Sequence, residues 1–223
     1  MLENVYKIET VTYDLIDDIM SIYDSNTSGY YQLPDDIEGS SSVFYEFDEL
    51  PSFSIECTIN FDLEGNDYID VDGNFIHNDD KVDQNDEDDD DYSDDDYSDD
   101  DYVIEVMINV NPRYIEEARE DVKDELFDVI GHELAHLIQK ESHYEFPSGD
   151  ITEPLEYYTQ EHELEAQLVG FVLKSRKTGK PIEEIVRNFF VGKRVKFNLS
   201  ESMIDELTGL VIKYIKEKGY EPY

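Results

Sequence analysis

Apolar residues recur along this chain with two different periods, and the alternation between those periods predicts its elements. Leu15, Ile16, Ile19, Met20, Ile22 and Tyr23 fall at helical spacing, so a first helix is predicted from Val5 to about Tyr23, ended by Ser25-Asn26-Thr27-Ser28-Gly29. Between Ser41 and Phe75 the period drops to two. Val43-Phe44-Tyr45-Glu46-Phe47 and Phe53-Ser54-Ile55-Glu56-Cys57-Thr58-Ile59-Asn60-Phe61 read as half-buried strands, punctuated by Pro51, Gly65 and Gly73. The same alternation returns in Tyr102-Val103-Ile104-Glu105-Val106-Met107-Ile108-Asn109-Val110, which reads as one more strand.

Asn111-Pro112 then offers an N-cap followed by proline at the first helical position. Ile115, Ala118, Val122, Leu126, Val129, Leu134 and Leu137 continue at helical spacing, predicting a helix to about Lys140 with one break near its beginning. The segment from Ser142 to Gly149 reads as loop. A further helical stretch runs from about Thr152 or Pro154 to Lys174, and a last pair covers Ile182 to Phe190 and Ser200 to Lys218. This order predicts an α+β fold, a small mostly antiparallel sheet packed on a helical half. The expected organisation is one compact domain: an N-terminal helix and strands over 1–78, an insertion over 79–101, and the remaining strand and helices over 102–223.

Composition changes this picture in one place. A net charge of −40 over 223 residues, with 39% hydrophobic residues, would by itself suggest disorder. Much of the acid is concentrated between Asp79 and Asp101, where Tyr92-Ser93-Asp94-Asp95-Asp96 is nearly repeated as Tyr97-Ser98-Asp99-Asp100-Asp101. That run has nothing to bury and its carboxylates repel one another, so a flexible insertion is expected, without the pattern of an EF-hand.

The charge balance argues against nucleic acid or an anionic membrane as partner and suits a basic one. The lone Cys57 fits a reducing compartment and reads as a small buried residue. No basic stretch followed by an apolar run opens the sequence, and nowhere are eighteen apolar residues consecutive. The expectation is a protein of the cytoplasm, the host cell's if the protein is viral.

The chemistry is concentrated in the second half. His132, Glu133 and His136 spell H-E-x-x-H inside the long predicted helix, flanked by the apolar Val129, Ile130, Leu134, Leu137 and Ile138. Four residues apart on a helix, the two imidazoles share a face and can bind one metal ion. Glu133, beside the first of them, is placed to take a proton from a water on zinc and later deliver it to a leaving amine. The competing interpretation is a pair of core histidines with their hydrogen bonds satisfied.

A third ligand is needed. Gln139 and Ser142 stand where a metzincin would have Gly and His, so that arrangement fails, and His143 lies one residue too late. The segment Glu161-His162-Glu163-Leu164-Glu165-Ala166-Gln167 can supply a glutamate instead. Glu163 is the first choice, because it shares a face with Ala166 and Gly170, whose small size permits close approach of two helices. Glu165, His162 and Glu161 remain as alternatives, depending on which face docks. Gln167, one turn beyond Glu163, is a candidate to hydrogen-bond a ligating histidine. Tyr157, Tyr158 and His143 are candidate donors to an oxyanion.

Gly131-His132-Glu133-Leu134-Ala135-His136 together with Glu163-Leu164-Glu165-Ala166 resembles the gluzincin clan of metallopeptidases, especially its minimal one-domain members and the H-E-x-x-H proteins of bacteriophages. The resemblance covers roughly Tyr102 to Lys174. It implies a zinc ion on His132, His136 and Glu163, Glu133 as general base, and a peptide or protein substrate. It also implies that Tyr102–Val110 is an edge strand along which an extended peptide binds by strand addition. The sequence departs from the clan at Gln167, where larger members carry Asp, in lacking the Leu-Leu-Met-Pro segment of regulatory relatives, and in the acidic run before the strand. The resemblance also admits a zinc-fold protein that binds without turnover, a regulator or virion component whose acidic run recruits a basic partner.

Overall fold

The computed structural model describes residues 2–27, 39–47, 50–61, 69–77, 102–142 and 154–219. The acidic run over 79–101, Gly65 and His143 with most of its loop lie outside the described residues. The fold is α+β. In chain order it comprises α1 (Leu2–Thr27), β1 (Gly39–Phe47), β2 (Leu50–Phe61), β3 (Ile69–His77), β4 (Tyr102–Val110), α2 (Ile115–Glu141), α3 (Pro154–Tyr158), α4 (Glu161–Thr178), α5 (Ile182–Gly192) and α6 (Glu201–Glu217). The chain divides into two compact units, residues 17–122 and residues 1–16 with 123–223, and the boundary falls inside α1 and inside α2.

The unit over 17–122 holds a four-stranded sheet of order β1-β2-β4-β3. β1 pairs antiparallel with β2, and β3 antiparallel with β4, while β2 and β4 run parallel, so the sheet is mostly antiparallel. Alternation places Phe53, Ile55, Cys57 and Ile59 of β2 on one face, in register with Tyr102, Ile104, Val106 and Ile108 of β4, and all eight are buried. The opposite face carries Glu56, Thr58, Glu105, Met107 and Asn109, where Asn60 Nδ2 donates to Asn109 Oδ1 at 3.0 Å. Burial pushes the Cys57 thiol up to about 11, so it behaves as the small apolar residue its setting suggests.

β4 is not an edge strand. It is hydrogen-bonded on both sides, by β2 and by β3, and the edges of the four-stranded sheet are β1 and β3. The physical reason is visible in composition. β4 is apolar at every inward position and buries Val103 on its other face as well, whereas β1 begins Gly-Ser-Ser-Ser and β3 carries Asp70, Asp72, Gly73 and Asn74. Polar and glycine-containing strands tolerate an unpaired edge, and continuous apolar strands favour the centre. Strand addition at β4, as the clan resemblance implied, is therefore blocked by β3.

The long helix starts as its sequence predicts. Asn111 caps it, its side chain accepting from Arg113 N at 3.1 Å, and Pro112 opens a single 3-10 turn before α2 begins at Ile115. In the same unit the Tyr23 hydroxyl donates to the Ile115 carbonyl at 2.9 Å, and Arg119 forks onto Asp24 at 2.8 and 2.9 Å.

The other unit is helical. Its interior is built from Val5, Ile8, Leu15 and Ile16 of α1, Leu126, Phe127, Ile130, Leu134 and Leu137 of α2, and Leu168, Phe171 and Leu173 of α4. α5 and α6 add Ile185, Val186, Phe190, Ile204, Leu207, Val211 and Ile215. The stretch expected as one helix from Thr152 or Pro154 is broken at Thr159 and Gln160, and α4 ends where Gly179, at φ 69°, donates back to Ser175 O at 2.8 Å.

α2 and α4 meet at a pair of glycines. A Cβ on Gly170 would lie 2.5 Å from both the carbonyl oxygen and Oδ1 of Asp128, and one on Gly131 would lie 2.8 Å from Leu173 Cδ1 and 3.3 Å from Gly170 Cα. The two helix backbones therefore touch. Lys174 closes the crossing on one side, with Nζ 2.6 Å from Glu125 Oε1.

Gly170→Ala is expected to destabilise the protein by about 1–3 kcal/mol, because its clash is with backbone and outweighs the gain in helix propensity. Gly131→Ala meets first the flexible end of a leucine and is expected to cost less. Urea unfolding of the two variants checks the order, and equal stability would show that the helices do not meet as described.

Candidate metal centre

His132 and His136 both project from the same face of α2, one turn apart, while the helix's buried Ile130, Leu134 and Leu137 anchor it in the core. Glu163 comes from the first turn of α4, where the helix dipole favours a carboxylate. The glycine crossing between α2 and α4 brings these elements close enough for the three side chains to converge. One ligand atom from each of His132, His136 and Glu163 lies within 4.8 Å of the other two. The two Nε2 atoms are 2.9 Å apart, Glu163 Oε2 is 3.7 Å from His132 Nε2, and Glu163 Oε1 is 3.6 Å from His136 Nε2. Donor atoms held tetrahedrally at bonds of about 2.0–2.2 Å stand about 3.3–3.6 Å apart, so the three separations bracket what one small ion requires.

The electrostatics of the group fit a cation. Burial holds the His132 imidazole well below its ordinary pKa, aided by His136, Lys193 and His162, and holds His136 down at about 4 despite its bond to Gln139. Both rings are therefore neutral at neutral pH, as ligands must be. Burial pushes the Glu163 carboxyl up to about 7, opposed by a hydrogen bond donated by Tyr157. Its Oε2 makes no hydrogen bond among the described residues. A buried carboxylate facing two neutral imidazoles lacks a positive charge, and a metal ion would supply it. His132, His136 and Glu163 form a group that can hold a metal ion.

The alternatives on α4 separate cleanly. Glu165 turns to Lys218, 3.1 Å from its Nζ, and Glu161 is exposed beside the same lysine at 3.7 Å. His162 is buried with Nε2 3.4 Å from Glu163 Oε1, at the margin of the group but outside the converging set. Glu133 is buried on α2, close enough to Tyr157 to add to the rise in that phenol's pKa that burial and then Glu163 chiefly cause. Tyr158 packs among Phe189, Phe190 and Phe197, with ring centroids 5.3–5.9 Å apart, and is a core residue.

The partner expected from Gln167 comes instead from Gln139. Gln167 is buried, and neither of its amide atoms makes a hydrogen bond among the described residues. Gln139 bonds His136 Nδ1 at 2.9 Å. Residues three apart on a helix are neighbours, so the spacing of His136 and Gln139 carried that signal in the sequence.

No family model, curated protein or solved structure matches the chain. No helix among the described residues is long and apolar enough to cross a membrane.

One turn before His132 lies a further buried carboxyl. Asp128 is pushed up to about 7, chiefly by burial, with Glu125 adding to the rise and Lys174 and Lys193 opposing it. Its folded pKa thus exceeds the ordinary value of 3.8, so the folded protein binds the extra proton between these values. Asp128's contribution to stability is full below about pH 4 and is lost as pH rises through about 7. Asp128→Asn is expected to flatten the fall of stability across that window, measured by urea unfolding at several pH values; an unchanged slope would refute the assignment.

Proposed function

We propose that the protein is a zinc-dependent peptidase of gluzincin type, with His132, His136 and Glu163 as metal ligands and Glu133 as general base. The observation that carries this reading is the convergence of two neutral imidazoles from α2 and one buried carboxylate from α4 on a common point. The same donor set serves iron in other proteins. What favours zinc and hydrolysis is the position of Glu133 between the two histidines in the H-E-x-x-H order.

Zinc bound there would act as a Lewis acid and lower the pKa of water to about 7. The remaining work falls to the chain. His132 and His136 present lone pairs without carrying charge, and Glu163 supplies the single negative charge that leaves a divalent ion net positive. Glu133 accepts the proton of the attacking water and passes it to the leaving amine. Tyr157, near Glu133, donates its one hydroxyl proton to Glu163, and it is the described tyrosine that could donate to an oxyanion by turning that proton away from Glu163. The expected substrate is a peptide or protein, and the basic side chains of such a substrate would be attracted by the chain's net charge of −40.

Purified protein is expected to carry about one zinc per chain by elemental analysis, and His132→Ala to carry none while keeping its helical circular dichroism. Glu133→Gln is expected to keep the zinc and lose cleavage of a mixed peptide library by about 100-fold or more. Iron in place of zinc, or a zinc-loaded protein that cleaves no faster than Glu133→Gln, would sink the peptidase reading.

A further inference from the structure

Gln139 joins the two ligand-bearing helices by hydrogen bonds beside the candidate ligands. The carbonyl oxygen of His162 can only accept, so the amide atom 2.9 Å from it is the Nε2 donor. The other amide atom, 2.9 Å from His136 Nδ1, is therefore the oxygen, and an amide oxygen also only accepts. It follows that Nδ1 of His136 carries the proton. Its Nε2 then holds the lone pair, on the side facing His132 Nε2 and Glu163. The orientation of the amide and the tautomer of the histidine are both forced by one backbone carbonyl.

We propose that Gln139 is a positioning residue that fixes His136 in its Nδ1–H tautomer and ties that ring to the backbone of α4 at His162, the neighbour of Glu163. The consequence for metal binding rests on the reading given under Proposed function, whereas the tautomer does not. Histidine ligands are commonly steadied by a carboxylate, a carbonyl or water on the far ring nitrogen. Here a carboxylate would satisfy only half of the requirement, because its second oxygen would face the His162 carbonyl and be repelled. An amide, with one acceptor and one donor, meets both neighbours. The site is thereby held by a neutral group on the same helix as the two histidines, and the link reaches across to the helix of the glutamate.

The experiment compares Gln139→Leu and Gln139→Glu with the wild-type chain, using long-range proton–nitrogen NMR of the histidine rings in metal-free protein and zinc affinity by chelator competition. Wild type is expected to show His136 as Nδ1–H. Gln139→Glu keeps the acceptor and is expected to retain that tautomer, whereas Gln139→Leu shifts His136 toward a mixture of tautomers. Zinc affinity is expected to fall roughly 10- to 100-fold in Gln139→Leu and less in Gln139→Glu. Should Gln139→Leu not fold, Gln139→Met, equally long and without an amide, carries the same expectations. An unchanged Nδ1–H signal in a folded variant lacking the amide overturns the proposal, as does a wild-type His136 found as Nε2–H. If wild type binds no zinc while the tautomer still shifts in Gln139→Leu, the metal reading falls and the role of Gln139 stands.

Discussion

The crossing of α2 and α4 at Gly131 and Gly170 is the interaction on which the candidate site depends. A side chain at Gly170 would collide with the carbonyl oxygen and carboxyl of Asp128, so the two backbones approach too closely there to admit a Cβ. Glu163 sits two turns before Gly170 on α4, and His132 directly follows Gly131 on α2. Where the helices touch therefore decides how far the carboxylate stands from the imidazoles. A larger residue at the crossing would push the axes apart, and a glutamate reaches only a limited distance to compensate. Interiors packed to crystal-like density transmit such a displacement rather than absorb it.

That geometry has an electrostatic cost, and the cost itself describes the site. The group gathers a carboxyl pushed up to about 7 and a histidine held at about 4, with burial the leading cause in both. Each shift disfavours the charged form, so without a cation the group holds two neutral imidazoles beside a carboxyl whose ionised form is penalised by burial. Ligand-ready imidazoles and a carboxylate with an unsatisfied oxygen are what a metal ion would stabilise, and little else in an apolar interior would. The bond from Gln139 to His136 and to the His162 carbonyl adds direction to this, since it leaves the lone pair of His136 on Nε2.

The sheet obeys a different constraint. β4 could stand at the centre because its inward positions are all apolar and its neighbours accept it in both orientations, parallel to β2 and antiparallel to β3. The polar composition of β1 and β3 then suits them to the edges. The sequence order of the strands hid this arrangement, because the strand latest in the chain was inserted between two earlier ones.

Much of the local structure was legible in the chain alone. The period of two at Tyr102–Val110, the Asn111-Pro112 start of the long helix, and the spacing of His132 and His136 each depend on residues within a few positions of one another, where backbone geometry leaves little choice, whereas the break expected near that helix's beginning is absent, the 3-10 turn running directly into α2. Glu163 was legible as the first choice among the acids of its helix, since it shares a face with Ala166 and Gly170. That Glu163 rather than Glu165 faces the histidines, that Tyr158 is packing and Tyr157 touches the site, and that Gln139 rather than Gln167 steadies His136 were decided only by the tertiary structure. The central place of β4 belongs with them. Each of these depends on which surface of one element meets another, and that is set by the packing of the whole core rather than by any local sequence period.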